Sequence, residues 1–313
     1  MSTHAIEADG LWKSYGHVTA LDGLSFQVRS GTVLGLLGPN GSGKTTAVSI
    51  LSTSLRPDLG RATVCGLDVV AEAAAVRGVI GFAGQFAAVD PTLTGRENLT
   101  LIGRLSRVGR RQAKVRADEL LEDFGLTAAA GRLARTYSGG MRRRLDVAAA
   151  LVHNPPVLFL DEPTTGLDPE SRLGLWASIR GLVRGGTTVL LTTQYLDEAD
   201  ALADQVVIID SGQVVDTGTP AQLKSRFGSV KFALGFGNEA DALLAGKLLT
   251  ADGQVVERTG AELSVRSATG SGAVARVLRV IDGQVPDPVT VAVHEPTLDD
   301  VFLTLTGEGG KAA

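Results

Sequence analysis

The sequence predicts an α/β chain: a mostly parallel sheet with an antiparallel β portion and an inserted helical subdomain, followed by a small α+β C-terminal domain. Three observations carry this reading. Apolar strand runs alternate with helical stretches early in the chain, a long charged and leucine-bearing segment interrupts them, and a new β-α-β-β-α-β order begins near Lys224. Length agrees, since 313 residues exceed the roughly 250 at which single cores stop growing. The domains are read as 1–222 and 223–313, with the helical subdomain at about 86–153.

In order along the chain, Val28, Leu34 and the alternating residues around them are assigned to the antiparallel portion. From Gly31 the text GTVLGLLGPNGSGKTTAVSILSTSL is strand, glycine-rich loop, then helix. Buried-strand runs recur at Pro156-Val157-Leu158-Phe159-Leu160-Asp161 and Thr187-Thr188-Val189-Leu190-Leu191-Thr192-Thr193, with helical stretches between and after them. That alternation requires a parallel sheet covered on both faces. Arg110 to Phe124 typifies the inserted helical subdomain. Beyond it, VKFALGF, a helix from Glu239 to Leu249, GQVVERTG, AELSVRS, a helix from Ala273 to Ile281 and VTVAVHE spell a ferredoxin-like order. A last helix is expected to open on a capping box of Thr297 and Asp300 and to present Leu298, Val301, Phe302 and Leu305 on one face.

Composition narrows the function. Apolar residues are 44% and charged residues 20% of the chain, as in a globular protein with a sizeable core. A net charge of -4 without a basic tail disfavours nucleic acid as a partner. Cys65, the single cysteine, points to a reducing compartment. MSTHAIEADGLWKSYG lacks a basic segment followed by an apolar core, and no later stretch reads as a bilayer span. The expectation is a cytoplasmic chain for which another protein supplies any membrane span.

Gly38-Pro39-Asn40-Gly41-Ser42-Gly43-Lys44-Thr45 fits the P-loop pattern and sits between a predicted strand and a predicted helix. Its glycines let successive amides turn toward phosphate oxygens and the helix N-terminus adds positive potential. Lys44 neutralises the β- and γ-phosphates, and the Thr45 hydroxyl suits magnesium. The alternative is a glycine-rich turn ahead of a helix, in a chain with 39 glycines. The strand ending in Asp161-Glu162 puts two carboxylates at the mouth of the sheet. Asp161 suits magnesium and Glu162 the attacking water; standing alone they would equally read as capping acids.

Together with Tyr137-Ser138-Gly139-Gly140-Met141, about twenty residues before the acid pair, these motifs resemble the ABC ATPases over roughly residues 5 to 220. The resemblance implies an ABC-type P-loop NTPase that uses ATP and Mg2+. It implies a signature cradle at Ser138, Gly139 and Gly140 that closes over ATP held by an opposite subunit, a D-loop at Gly166-Leu167-Asp168 and a Q-loop at Gln85. Gln85 is then a magnesium ligand and reporter of the γ-phosphate, Tyr15 the aromatic under adenine, and Thr46 part of the nucleotide-binding set with the P-loop residues. Gln194 stands in TTQY where the family usually has histidine; glutamine still donates an amide hydrogen bond but cannot relay a proton. TTQYLDEAD, YSGGMRRRLD and EPTLDDVFLTLTG are similar to the daunorubicin-resistance branch.

That branch implies an ATP-dependent head-to-tail homodimer, peripheral on the cytoplasmic face of the cell membrane. It would energise efflux of a hydrophobic drug or antibiotic through a separate integral-membrane permease. The competing readings are a nucleotide-gated ABC clamp and a regulatory ATP switch. A clamp usually joins tandem units or carries a long coiled coil, and sustained heptads are absent here. Arg142, Arg143 and Arg144 are assigned to a solvated or salt-bridged helix face. His153 and the other histidines lack ligand spacing and are treated as structural, and Trp12 and Trp176 as core or interface.

Overall fold

The computed structural model describes residues 3–84, 88–227, 230–267, 273–294 and 296–306. The chain divides into two compact units, 1–219 and 220–313. In the first, β1 (His4–Tyr15) and β2 (Val18–Arg29) form a hairpin, and β3 (Val33–Leu37) runs into α1 (Lys44–Leu51). Next come β4 (Leu59–Val64), β5 (Leu67–Asp68), α2 (Ala73–Val79) and β6 (Ile80–Ala83), then the helices α3 (Gly95–Leu105), α4 (Arg110–Asp123) and α5 (Gly139–Ala150). The unit closes with β7 (Val157–Asp161), α6 (Pro169–Arg184), β8 (Thr188–Thr193), α7 (Leu196–Leu202), β9 (Gln205–Asp210) and β10 (Gln213–Gly218).

Two sheets result. One is antiparallel, in the order β2-β1-β4-β5; the other runs β10-β9-β3-β8-β7-β6, parallel except for its β10 edge. Every residue of β3, β7 and β8 is buried, as a sheet covered on both faces demands. Successive side chains of these strands feed different cores. Val157, Phe159 and Leu190 pack with α1 and the antiparallel sheet, whereas Leu158, Leu160, Val189 and Leu191 pack with the helical region and α6. The period of two along each strand thereby cements three layers. On β2 the alternation from Leu24 to Arg29 is apolar-in and polar-out, the mark of a sheet with one wet face.

Side-chain caps mark the starts of α3 and α6. Thr94 and Glu97 form a reciprocal capping box for α3. Asp168 caps α6, with Pro169 at a first-turn position that needs no amide.

The second unit holds α8 (Pro220–Phe227), β11 (Val230–Gly235), α9 (Glu239–Ala251), β12 (Val255–Thr259), β13 (Glu262–Ser267), α10 (Ala273–Ile281), β14 (Thr290–His294) and α11 (Leu298–Thr306). Its sheet is antiparallel in the order β12-β13-β11-β14, the split β-α-β arrangement. Phe232, Leu234, Leu263 and Val265 pack beneath Ala242, Ala245, Leu249, Val277 and Ile281. The boundary at Pro220 precedes the compositional change near Lys224 because α8 packs against α11 within this unit. Thr297 and Asp300 cap α11 reciprocally, and Asp300 also accepts from Lys231 on β11. Among the described residues, no helix is long and apolar enough to cross a membrane.

Candidate functional site

Strand order decides which loops meet. β8 lies between β3 and β7, and all three are parallel, so their carboxyl ends open on one edge, where α/β sheets bind ligands. That edge carries the Gly38–Thr45 loop after β3, Asp161 and Glu162 at the end of β7, and exposed Gln194 after β8. β6 pairs with the far side of β7. Gln85, which follows β6 in sequence, lies outside the described residues.

The loop after β3 is held open by close backbone approach. A Cβ on Gly38 would sit 2.3 Å from the Ile209 carbonyl oxygen; one on Gly43, whose φ is +104°, would sit 2.4 Å from that of Ala20. No larger residue fits either position without displacing backbone. Lys44 Nζ donates to the carbonyls of Gly38 (2.8 Å) and Pro39 (2.9 Å), which fixes the ammonium across the loop with a third N–H to give. Burial pulls its pKa down, opposed by the charges of Glu162 and Asp161. Ser42 Oγ is buried and has no hydrogen-bond partner. An unpaired buried hydroxyl beside an anchored cation fits a polyphosphate, which would satisfy both.

The acid pair is built by one threonine. Thr192 Oγ1 donates to Asp161 Oδ1 at 2.5 Å, and the Glu162 amide donates to both Thr192 O and Thr192 Oγ1 at 3.1 Å. These bonds hold Glu162 at φ +47°, a left-handed conformation rare for this residue. The Thr45 hydroxyl donates to Asp161 Oδ1 at 3.5 Å. A hydroxyl and a carboxylate so close are oxygen donors of the kind a magnesium ion takes, together with phosphate oxygens and water.

Ser138 caps α5 by accepting from the Met141 amide at 3.2 Å, and Gly139 faces open space. Gly140 serves packing: a Cβ there would lie 2.1 Å from Ser171 Oγ and 2.5 Å from Ser171 Cβ. Ser171 in turn donates its amide (2.9 Å) and hydroxyl (2.7 Å) to Asp168, bonds that hold the Asp168 carboxyl below the usual carboxylate range. Gly140 and the Asp168 turn therefore meet through one serine. Thr46 lies in the first turn of α1. Exposed Tyr15 closes the β1–β2 hairpin opposite Val18, with Lys13 Nζ 5.9 Å from its ring centroid; the same hairpin presents Ala20 to Gly43.

Arg143 is where the sequence reading is incomplete. Of the solvated or salt-bridged face expected, the ion pair is present, with Asp146 Oδ2 (3.2 Å), but the side chain is mostly buried and reaches inward, donating also to Pro163 O (2.8 Å), Gly84 O (2.5 Å) and Asp161 O (3.2 Å). Asp146 Oδ1 accepts from the Ala88 amide at 2.6 Å. Burial lowers the Arg143 pKa against the pull of Asp146, Asp161 and Glu198, and raises that of Asp146 against the Ala88 amide and Arg143. The available signal was Asp146 itself, an acid inside the apolar text LDVAAAL, where only a buried partner makes sense. His153 and Trp176 are structural as read: His153 Nε2 meets Ile80 O at 2.9 Å, and the Trp176 indole donates to buried Glu198.

A glycine-rich phosphate loop and a strand-end carboxylate pair on one parallel sheet define a P-loop nucleoside triphosphatase. The family model described as ABC transporter matches residues 21–165. The chain is 51% identical over 308 residues to the daunorubicin resistance ATP-binding protein DrrA3 of Streptomyces coeruleorubidus, covering 98% of each. It is 47% identical over 311 residues to the daunorubicin/doxorubicin resistance ATP-binding protein DrrA of Streptomyces peucetius, covering 97% of this chain and 93% of that one. It also superimposes on the dimeric post-hydrolysis state of an ATP-binding cassette bound to ADP and Pi, with TM-score 0.62 and 25% identity over 68% of this chain and 98% of the other. The chain belongs to the ABC transporter family, as an ATP-binding subunit that hydrolyses ATP.

Proposed function

We propose that this chain energises efflux of a hydrophobic drug or antibiotic through a separate integral-membrane permease, working as an ATP-dependent head-to-tail homodimer on the cytoplasmic face of the cell membrane. The observation that carries the proposal is the meeting of the Lys44 loop, the Asp161–Glu162 turn and Gln194 at the ends of three adjacent parallel strands. The drug is suggested by the daunorubicin resistance of the Streptomyces relatives, efflux is the way an ABC ATP-binding subunit would confer it, and the dimer follows the cassette bound to ADP and Pi.

In this reading Gly38, Pro39, Asn40, Gly41, Ser42 and Gly43 turn amides toward the phosphates, and Lys44 and Thr46 bind phosphate oxygens. Magnesium, held by Thr45 and Asp161 with Gln85, would neutralise charge developing between the β- and γ-phosphates. Glu162 orients and deprotonates the attacking water, and Gln194 donates to the γ-phosphate without relaying a proton. Tyr15 stacks on adenine. Ser138, Gly139 and Gly140, with Asp168 beside them, face ATP carried by the second copy.

The test is magnesium-dependent ATP turnover of the full chain beside Glu162→Gln, with oligomeric state followed under ATP. The expected result is a fall in turnover of about a hundredfold or more, with the variant held as a nucleotide-bound dimer. Near-wild-type turnover in the variant would sink the role of Glu162. A chain that binds ATP yet neither turns over nor dimerises favours the regulatory switch, the reading to which Gln194 in place of histidine lends itself.

A further inference from the structure

Three backbone carbonyls from two separate segments converge on one guanidinium. Arg143 donates to Gly84 O at the end of β6 and to Asp161 O and Pro163 O on either side of Glu162, while its own helix α5 begins at the Ser138 cap. Asp146, one turn further along α5, holds the Arg143 fork with Oδ2 and the Ala88 amide with Oδ1. The pair is desolvated, with side-chain exposures of 13% for Arg143 and 2% for Asp146. Cutting one partner therefore strands the other in the interior. Their bonds reach the chain immediately before and immediately after residues 85–87, and both sides of the acid turn, from a single rigid helix.

We infer that Arg143 and Asp146 are a positioning pair that locks the Glu162 turn and the strand end leading to Gln85 to the helix headed by Ser138. Neither side chain touches the phosphate loop in this arrangement, so their action is on the alignment of the segments around the attacking water. Lysine does not replace the arginine. Its ammonium is a point donor and cannot span four acceptors that a planar fork reaches from three nitrogens. The inference rests on the hydrolytic reading of the site, and its experiment includes an arm that needs no turnover.

The experiment compares full-length wild type, Arg143→Lys and Asp146→Asn by amide hydrogen exchange, by affinity for a non-hydrolysable ATP analogue and by ATP turnover. Expected for Arg143→Lys is faster exchange at both the Ala88 and the Glu162 amides, with amides of 38–46 unchanged. Analogue affinity stays within about twofold, and turnover falls about a hundredfold, the scale that a misplacement of about 1 Å costs. Asp146→Asn keeps an acceptor for Ala88 but turns an amide toward Arg143, so it shows the same pattern with the smaller change at Ala88. Exchange unchanged at either segment in Arg143→Lys overturns the inference, as does a loss of analogue affinity equal to the loss of turnover. If the wild type lacks turnover, the hydrolytic reading fails, and the exchange arm alone still decides whether the pair ties the segments together.

Discussion

At the scale of single residues, the acid pair depends on a hydroxyl on β8, the strand between the P-loop strand and its own. Thr192 is fully buried; its Oγ1 donates to Asp161 Oδ1 and accepts from the Glu162 amide. Thr192→Val keeps the shape and removes both bonds, leaving a carboxylate that is 3% exposed short of its nearest donor. The expected cost is about 1–3 kcal/mol, read as a lower denaturation midpoint with unchanged slope. Turnover should fall with it, because the left-handed turn at Glu162 loses one of its restraints; stability equal to wild type would refute this account. The motif residues Lys44, Thr45, Asp161 and Glu162 were legible because their types and spacing are dictated by phosphate and magnesium chemistry. Thr192 was not, since within a buried β-branched strand a threonine and a valine are interchangeable as text.

At the scale of elements, α5 and α6 meet at their N-termini through Gly140 and Ser171. Gly140→Ala would drive a methyl against Ser171 Cβ and push the serine off Asp168, disturbing the cap of α6 as well as the packing of α5. We expect destabilisation of about 1–3 kcal/mol, relieved in the double variant Gly140→Ala/Ser171→Gly. A double-mutant cycle measures it: strictly additive effects would mean the two helices are not coupled there. Strands and helices were legible at this scale from periodicity. β3, β7 and β8 read as apolar or β-branched runs without polar alternation because both their faces are covered, and the order of elements after Lys224 follows from turn spacing. The inward reach of Arg143 was illegible by the same logic. A basic run normally marks a wet helix face, and only contacts made across the fold, to Gly84 and to Asp161 through Pro163, reverse that expectation.

At the scale of the molecule, the described core residues fall into clusters that stay within one unit or the other. The second unit closes its own sheet over α9 and α10 and ties α11 to β11 through Asp300 and Lys231. We therefore propose that residues 220–313 form an autonomous accessory domain. Expressed alone, this piece is expected to melt in one cooperative transition followed by circular dichroism; a gradual, non-cooperative melt would show that it depends on the rest of the chain. One feature of the first unit sets a length scale. Neighbouring strands lie about 4.8 Å apart, and β8 separates β3 from β7, so these two strand ends stand about 10 Å apart, a gap that the Thr45 hydroxyl and the Asp161 carboxylate close to 3.5 Å. The middle strand thus acts as a spacer, and a side chain reaching past it, rather than backbone, joins the phosphate loop to the acid turn.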